Sequence, residues 1–415
     1  MNAPQCVLRA QMPGKTPRVN RSFLVVCAVL FTPASALAQP PVWTVDDAVE
    51  QALAPTAYGT IRDSNLAGVR ADLAARTATP NPSVSVDYEQ IPARPGSREL
   101  AVSLEQEFDL SGWRGGLRNS LADREAAERA QTAAWELELV TQVRRQFYSV
   151  LHRERRVAAM VAWVRRLNDG ADAIAARLAR GDVSGYDLKR IQRERDIAAA
   201  ELASEWSQLE EAWAGLQSWI PWTQRPKLEG TLRPPRPNEV LVTNPELDRL
   251  GAMGRANQAE LDAWGSPALR GWSLGAGYRN IEEDSVTGHG FLVTLTVPLA
   301  LWNGNQAERD ALQAQRRRIA AELELTTARK AREQSVAERR LGLALDALDA
   351  LPSDDSGELV KMARAAYDAG ETSLPDLLDA HEAETRLALA QADLEWEARS
   401  ASIQLAHSRG QGATR

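Results

Sequence analysis

The sequence predicts a mainly α-helical protein with a small β part, in which one unit, a β-hairpin followed by a long coiled-coil helical hairpin, occurs twice. Two patterns recur at the same separation of 189 residues: Leu110-x-x-Trp113-x-Gly115 with Leu299-x-x-Trp302-x-Gly304, and Gly181-Asp182-x-Ser184-x-x-Asp187-Leu188 with Gly370-Glu371-x-Ser373-x-x-Asp376-Leu377. Because one offset fits both patterns, the segments between them also agree in length, which indicates a tandem duplication. The repeat is too long for a solenoid, so it indicates two pseudo-equivalent halves of one architecture.

Residues 1–38 have the pattern of an export signal peptide. Basic residues precede an apolar stretch from Phe23 to Phe31, and Ala36-Leu37-Ala38 then forms an A-x-A cleavage site. The apolar stretch is far shorter than the roughly 20 residues that a membrane-spanning helix needs. We therefore expect export and cleavage before Gln39. Cys27 also permits a lipoprotein signal, so lipidation of the N-terminus stays open.

The chain after this signal is acidic. Cleavage would remove four basic residues and leave 45 Lys and Arg against 56 Asp and Glu, a formal net charge of −11. An acidic exported protein is poorly suited to bind nucleic acid. Both cysteines, Cys6 and Cys27, would be lost, so the mature chain would contain no thiol.

The first repeat is expected over residues 39–220. A helix from Thr44 to about Arg76 precedes a β-hairpin over 83–108, whose strands alternate apolar and polar residues and therefore have one apolar face. A helix of some sixty residues follows, and its 3-4 apolar spacing predicts a coiled coil roughly 90 Å long. The residues at this spacing are Val140, Val143, Phe147, Val150, Val157, Val161 and Val164.

The return helix of this hairpin continues the apolar spacing from Leu188 to Trp219. Its tip is expected at 181–187, where Gly181 ends one helix and Ser184 caps the next. Five prolines then make residues 221–243 a linker that cannot be helical.

The second repeat, over 244–409, has the same order of elements. A helix from about Pro245 to Trp264 precedes a β-hairpin over 271–297. A long helix starts near Asn305, is interrupted at 352–355 and reaches Gly370. The tip of this second helical hairpin is expected at 370–379, with Gly370 and Ser373 in the places of Gly181 and Ser184, and residues 410–415 form a C-terminal tail.

Both β-hairpins have the strand pattern of a membrane β-barrel. Four strands are too few to close one, because even the smallest barrels need about eight, so closure requires several chains. Aromatic residues near the expected strand ends favour contact with a membrane interface. These residues are Trp113, Trp272, Tyr278 and Trp302. The alternative is a small antiparallel sheet that caps a soluble coiled coil.

Motifs spread from about Val42 to His407 point to a known family by their order and spacing. They are Asn81-Pro82-x-x-Ser85, Gln106-Glu107-Phe108-Asp109-Leu110, Gly275-Ala276-Gly277-Tyr278-Arg279, Pro298-Leu299-x-Leu301-Trp302-x-Gly304-Asn305-Gln306 and Tyr367-x-x-Gly370-x-x-Ser373-x-x-Asp376-Leu377-Leu378-Asp379-Ala380. With these motifs the chain resembles the TolC-type outer-membrane efflux proteins, and among them the CzcC-like branch of heavy-metal exporters.

This resemblance implies a homotrimer that forms a 12-stranded β-barrel in outer-membrane lipid, continued by a periplasmic α-helical tunnel. It implies a channel rather than an enzyme, without a cofactor. It also implies two protein partners, a periplasmic adaptor (membrane fusion) protein and an inner-membrane RND pump, in a tripartite system that exports heavy-metal cations.

In that family the hairpin tips form the closed periplasmic end. The resemblance makes Asp376 and Asp379 ring carboxylates, Tyr367 a tip contact and Asp187 the first-repeat counterpart. Some members place a salt-bridging Arg two residues after the tip glycine, where this chain has Thr372.

The residues of the tips also permit an interpretation without the family. Carboxylates repeated around a narrow axis attract cations, which favours a gate for cations. Asp187 and Asp376 follow Ser184 and Ser373 by three residues, so they can equally serve as capping-box residues that stabilise helix starts.

Residue patterns of other functional classes do not stand out. The four histidines lack paired metal-ligand spacing, and we find no nucleophile motif or phosphate loop. We therefore interpret this chain as a passive conduit. Two alternatives stay open: an outer-membrane exit duct for organic toxicants or for type I protein secretion, and, from another class, a periplasmic coiled-coil structural protein.

Overall fold

The computed structural model describes residues 41–90, 97–236, 244–264, 270–283, 286–299, 301–302, 304–352 and 357–412. Some expectations fall outside these residues in whole or in part. They are the signal peptide over 1–38, the turns of the two β-hairpins over 91–96 and 284–285, the last part of the linker over 237–243, most of the helix interruption, over 353–355, and the end of the C-terminal tail over 413–415.

The first repeat begins with a two-residue strand β1 (Val42–Trp43), followed by α1 (Val45–Leu53) and α2 (Thr56–Thr77). The expectation of one continuous helix here is wrong. Pro55 separates α1 from α2, because proline has no N–H to donate to the preceding turn. Thr44 caps α1 and forms a capping box with Asp47, whose backbone N–H donates to the Thr44 hydroxyl at 3.3 Å.

The remaining elements of the first repeat are one β-hairpin and three helices. They are β2 (Ser83–Gln90), β3 (Arg98–Phe108), α3 (Trp113–Asn119), α4 (Leu121–Ala179) and α5 (Gly185–Gln217). The described part of the linker contains no helix, and its short strand β4 (Lys227–Leu228) pairs in parallel with β1.

The second repeat has the same order of elements. They are α6 (Pro245–Ala263), β5 (Trp272–Glu283), β6 (Val286–Thr296), α7 (Gln306–Ala350), α8 (Glu358–Asp368) and α9 (Leu374–Ser408). The two β-hairpins join into one four-stranded antiparallel sheet in the order β2-β3-β5-β6. The described chain is thus mainly helical with a small β part, as the sequence predicts.

The main core lies along α4, which packs against both repeats. Its largest buried cluster centres on Phe147 and includes Leu216 of α5 and Ile403 of α9. The predicted apolar seam holds from Val140 to Val157.

The prediction that the seam continues through Val161 is wrong. Val161 is 42% exposed, whereas Met160 is buried and begins a second cluster near the tips. Two successive three-residue steps, Glu154 to Val157 and Val157 to Met160, shift the apolar seam by one position. Trp219 is also exposed, because α5 ends at Gln217 and Ile220 is buried in its place.

Within the residues that the structure describes, none of the helices combines the length and the apolar character that crossing a membrane requires.

Candidate functional site

The four-stranded sheet has one continuous apolar face. Strand register brings the apolar residues of neighbouring strands opposite one another, as in the row Val86, Val102, Tyr278 and Phe291. The apolar face consists of Val84, Val86, Tyr88, Leu100, Val102, Leu104, Leu274, Tyr278, Phe291, Val293 and Leu295.

Every residue of this apolar face is exposed. The exposed fraction runs from 41% for Val102 to 92% for Phe291. Isolated exposed apolar residues are ordinary, but a contiguous patch across four strands indicates a surface that contacts another apolar phase. The sequence signal for this surface was the alternation within each strand, and the observed register aligns the four strands.

The opposite face of the sheet is polar and bonded within itself. The hydroxyls of Ser85 and Ser103 lie 2.7 Å apart across β2 and β3. Arg279 donates from Nη2 to Oε2 of Glu99 across β3 and β5, at 2.7 Å. Such polar pairing suits a face that meets water, so the two faces of this sheet differ in the environment they fit.

The sheet has two free edges among the described strands. β2 and β6 each pair with one neighbour only, so both offer a row of backbone donors and acceptors for further pairing. One expectation about strand ends is wrong. Tyr278 lies in the middle of β5, where it contacts His289 of β6.

The two tips of the helical hairpins have the same backbone construction. At the first tip Gly181 has a φ of 82°, and the N–H of Asp182 donates to the carbonyl of Arg177 at 3.0 Å. At the second tip Gly370 has a φ of 76°, and Glu371 donates to Ala366 at 2.9 Å. This arrangement satisfies the last carbonyls of a helix and favours glycine at the left-handed position.

Each tip continues into a capped helix. The backbone N–H of Ser184 donates to Asp187 at 3.2 Å, and that of Ser373 donates to Asp376 at 2.9 Å. The Ser373 hydroxyl and N–H both donate to the Asp376 carboxylate, which lowers the pKa of Asp376 below its usual value. The structure therefore gives both aspartates a local role at helix starts.

Asp376 and Asp379 project from the first two turns of α9, and both are exposed. Because they are three residues apart on a helix, they lie on one face and present two carboxylates together. Since α9 starts at Leu374, the second half of the expected tip segment 370–379 is already helix. Thr372, in the place of the family's Arg, has a buried hydroxyl without a hydrogen-bond partner among the described residues.

Tyr367 connects the two repeats at the tips. Its half-buried ring packs in the cluster that contains Leu374 and Leu378 of α9. The guanidinium of Arg177, from the end of α4, lies 5.0 Å from the centre of the Tyr367 ring. This cation–π contact holds the first tip against the second. Sequence spacing gave no signal for Arg177, because the contact joins residues that are distant in the chain.

A second contact missed by sequence reasoning joins three helices midway along α4. The Arg156 guanidinium donates to Glu205 of α5 and to Asp393 of α9, at 2.6 and 2.7 Å. Hydrogen bonding to Glu205 raises the pKa of Arg156. Nε2 of His152 donates to the Asp393 carboxylate at 2.8 Å, and the imidazole stacks on Trp396.

Metal-ligand clusters are not found among the described residues, where no group of three His, Cys, Asp or Glu side chains could hold an ion. Each of the four histidines lies in its own surroundings: His152 stacks on Trp396, His289 stacks on Tyr278, His381 lies beside Trp163, and His407 pairs with Glu138.

Solved structures share this fold over most of the chain. CusC aligns with a TM-score of 0.71 and 16% identity, covering 89% of this chain and 92% of its own. The Campylobacter jejuni outer membrane channel CmeC aligns with a TM-score of 0.67 and 13% identity, covering 88% and 85%. The open state of the Neisseria gonorrhoeae outer membrane channel MtrE aligns with a TM-score of 0.68 and 16% identity, covering 89% of this chain and 90% of its own.

No protein-family model matches the sequence, and no curated protein matches it. At these identities the likeness concerns the fold. The chain has the fold of the TolC-type outer-membrane channels.

Proposed function

We propose that this protein is the outer-membrane channel of a tripartite efflux system, a passive duct and not an enzyme. The observation that carries the proposal is the apolar face, which is exposed across all four strands while the opposite face is polar. Lipid is the apolar phase available to an exported protein, and alternation of this kind is typical of strands with one face in lipid and one in water.

The free edges of β2 and β6 support a closed assembly of several copies. Three chains with four strands each give a 12-stranded barrel, and closure leaves no strand edge unpaired. The long helices then continue the barrel into the periplasm as a tunnel. On this proposal residues 39–220 and 244–409 are two outer-membrane efflux repeats, joined by the linker 221–243.

Fractionation of cells that produce the full-length protein tests this proposal. We expect heat-resistant trimers in the outer-membrane fraction and ion conductance after reconstitution of the trimers into planar bilayers. A monomer in the soluble periplasmic fraction would contradict the proposal and favour a coiled-coil structural protein.

Heavy-metal cations are the proposed cargo, with a periplasmic adaptor and an inner-membrane RND pump as partners. The resemblance to the CzcC-like branch and the exposed carboxylates at the second tip support this choice. A deletion strain should become sensitive to one or more of zinc, cobalt, cadmium, nickel and copper, and keep its resistance to dyes and detergents. The reverse pattern would assign the duct to organic toxicants.

The second tip is the proposed gate, with Asp376 and Asp379 as its carboxylates, Tyr367 as its contact and Asp187 as the first-repeat counterpart. Asp376→Ala with Asp379→Ala should raise the conductance of reconstituted trimers and weaken their block by multivalent cations, because the repeated negative charge is removed. The control is Asp63→Ala, an exposed carboxylate on α2. Unchanged conductance and block in the double variant would contradict the gate.

A further inference from the structure

The two repeats meet inside the chain at a junction of three side chains, two indoles that meet edge to face and one guanidinium. β3 pairs with β5, and just beyond these strands the ring of Trp113 lies 6.1 Å from that of Trp264. The guanidinium of Arg270 lies 4.5 Å from the centre of the first ring and 4.1 Å from that of the second. Trp113 of one repeat is thus held on the other repeat, where α6 ends and β5 begins.

The duplication places a second tryptophan in the same position, and among the described residues it has no such partner. Trp302 follows β6 as Trp113 follows β3, at the offset of 189 residues. It is 94% exposed, and its neighbours Leu299 and Leu301 are exposed as well. The strand before it, β6, is one of the two free edges of the sheet. A large apolar side chain beside an unpaired strand indicates a contact that the single chain leaves incomplete.

The counterpart of the internal partner lies at the other free edge. An offset of 190 residues aligns Ser83 with Ser273 and Tyr88 with Tyr278, so β2 corresponds to β5, and α2, which ends at Thr77, precedes β2 as α6, which ends at Ala263, precedes β5. At the position of Trp264 the first repeat has Ala74, which is exposed, and at the position of Arg270 it has Pro80. Small side chains at this place leave room for an indole from outside.

We propose that Trp302 packs against the end of α2 in a second copy of this chain, on Ala74 and Pro80, as Trp113 packs against the end of α6. The proposal rests on the trimer proposed above and names the side-chain contact beside the strand edges where copies meet. The side chains of the two free edges also support this contact. Apolar residues of β6 and of β2 lie on the same face of the sheet, so pairing between these edges of two copies would continue that face. They are Phe291, Val293 and Leu295 of β6 and Val84, Val86 and Tyr88 of β2.

The contact between copies differs from its internal template in one respect. The internal junction has a guanidinium between two indoles, and the contact between copies has one indole on alanine and proline. Because the cation–π contribution is missing, the contact between copies is the weaker of the two. Trp302→Ala is therefore expected to lower the temperature at which trimers dissociate and to leave the helix content of the released chains unchanged.

Cross-linking between engineered cysteines tests the contact directly. The variant with Ala74→Cys and Trp302→Cys should give covalent dimers and trimers with a short thiol-reactive cross-linker. The native cysteines, Cys6 and Cys27, both lie in the predicted signal peptide, so the background should be free of thiols. The matched control combines Trp302→Cys with Thr60→Cys, which is also exposed and lies near the other end of α2, and it should give several-fold less product.

The outcomes separate this contact from the trimer itself. If heat-resistant, conducting trimers form and the Ala74 pair gives no more product than the Thr60 pair, the contact is overturned and the proposed channel stands. Products that join Trp302→Cys of two copies, made by that single variant alone, would also overturn the contact. If the unmodified protein forms no trimers in the outer membrane, the proposed function and the contact fail together.

Discussion

The two repeats share one architecture and differ in how much of it is buried within the chain. α4 of the first repeat packs against α2, α5, α6 and α9 and has buried side chains from Leu137 to Ile174. α7, its counterpart, packs against α6 and α9, and leaves Leu325, Val336 and Leu343 exposed. The same difference recurs at the strands, where Trp113 is packed and Trp302 is exposed.

This difference shows where the chain is incomplete. The first repeat is covered by the second, whereas the far side of the second repeat is covered by nothing in the described chain. Since duplication gives both repeats similar surfaces, the first repeat of another copy would cover this surface in the proposed assembly. The comparison therefore supports the proposed closed assembly independently of the strand edges.

The largest expected effect comes from a pair of counterparts in the long helices. Phe147 is fully buried, and Val336, at the same place in the second repeat, is 52% exposed. Phe147→Ala should lower the free energy of unfolding by about 3–5 kcal/mol, because it leaves a cavity in the main core. Val336→Ala should change the free energy of unfolding of a chain separated from the trimer by less than about 0.5 kcal/mol. Denaturant unfolding of chains separated from the trimer measures both free energies, and equal losses would contradict the comparison.

The Arg156–Glu205 ion pair offers a second test. Its counterparts are Leu345 and Leu394, an apolar pair in the core of the second repeat. Arg156→Leu alone should cost up to about 3–5 kcal/mol of unfolding free energy, because buried Glu205 then keeps only the more distant Arg153, at 3.7 Å, as a partner. Adding Glu205→Leu should recover most of the loss, since the second repeat already places leucines there. A double variant as unstable as the single one would contradict this equivalence.

The tips are expected to respond alike in stability. Ser184→Ala and Ser373→Ala each remove a hydroxyl from a capping box and should each cost about 1 kcal/mol locally. Amide hydrogen exchange in the first turns of α5 and α9 measures the loss. A much larger effect at one tip would show that its serine has a role beyond capping.

Acidification should have the smallest effect, and it acts on both repeats. Burial lowers the pKa values of His152, His381 and His407 below that of a free histidine. The unfolded chain then binds more protons than the folded one as pH falls through about 6.5, so stability decreases below that pH. The melting temperature should decrease between about pH 7.5 and about pH 5.5. The decrease should be smaller in the His152→Gln variant than in the parent protein. The residues that face His152 are Asp393, Arg153, Arg156 and Trp396. If the melting temperature of the variant depends on pH as that of the parent does, His152 does not contribute to the loss of stability in acid.

Much of the fold follows from local sequence patterns. Alternation predicts the strands, and the recurring Gly and Ser-x-x-Asp positions predict the turns and caps, because these signals depend on a few neighbouring residues. The shift of the apolar seam after Val157 was missed, because Val161 and Met160 are both apolar and either could face the core.

Contacts between distant segments could not be predicted in the same way. Arg156, Glu205 and Asp393 look like solvated charges on a coiled coil, and only the packing of three helices brings them together. The contact of Arg177 with Tyr367 likewise depends on where two helices end. Duplication extends what sequence can predict, because a contact inside the chain indicates where its counterpart between copies lies.

The most direct test of the central claim, that the sheet has one face in lipid, uses two neighbouring residues of β2. Val86 belongs to the apolar face and Asp87 to the opposite face. Each is replaced by cysteine, labelled with a polarity-sensitive fluorophore and reconstituted in vesicles. A label at Val86→Cys should be quenched by lipid-attached nitroxides, and one at Asp87→Cys by a water-soluble quencher. Equal quenching of both labels from water would contradict the account.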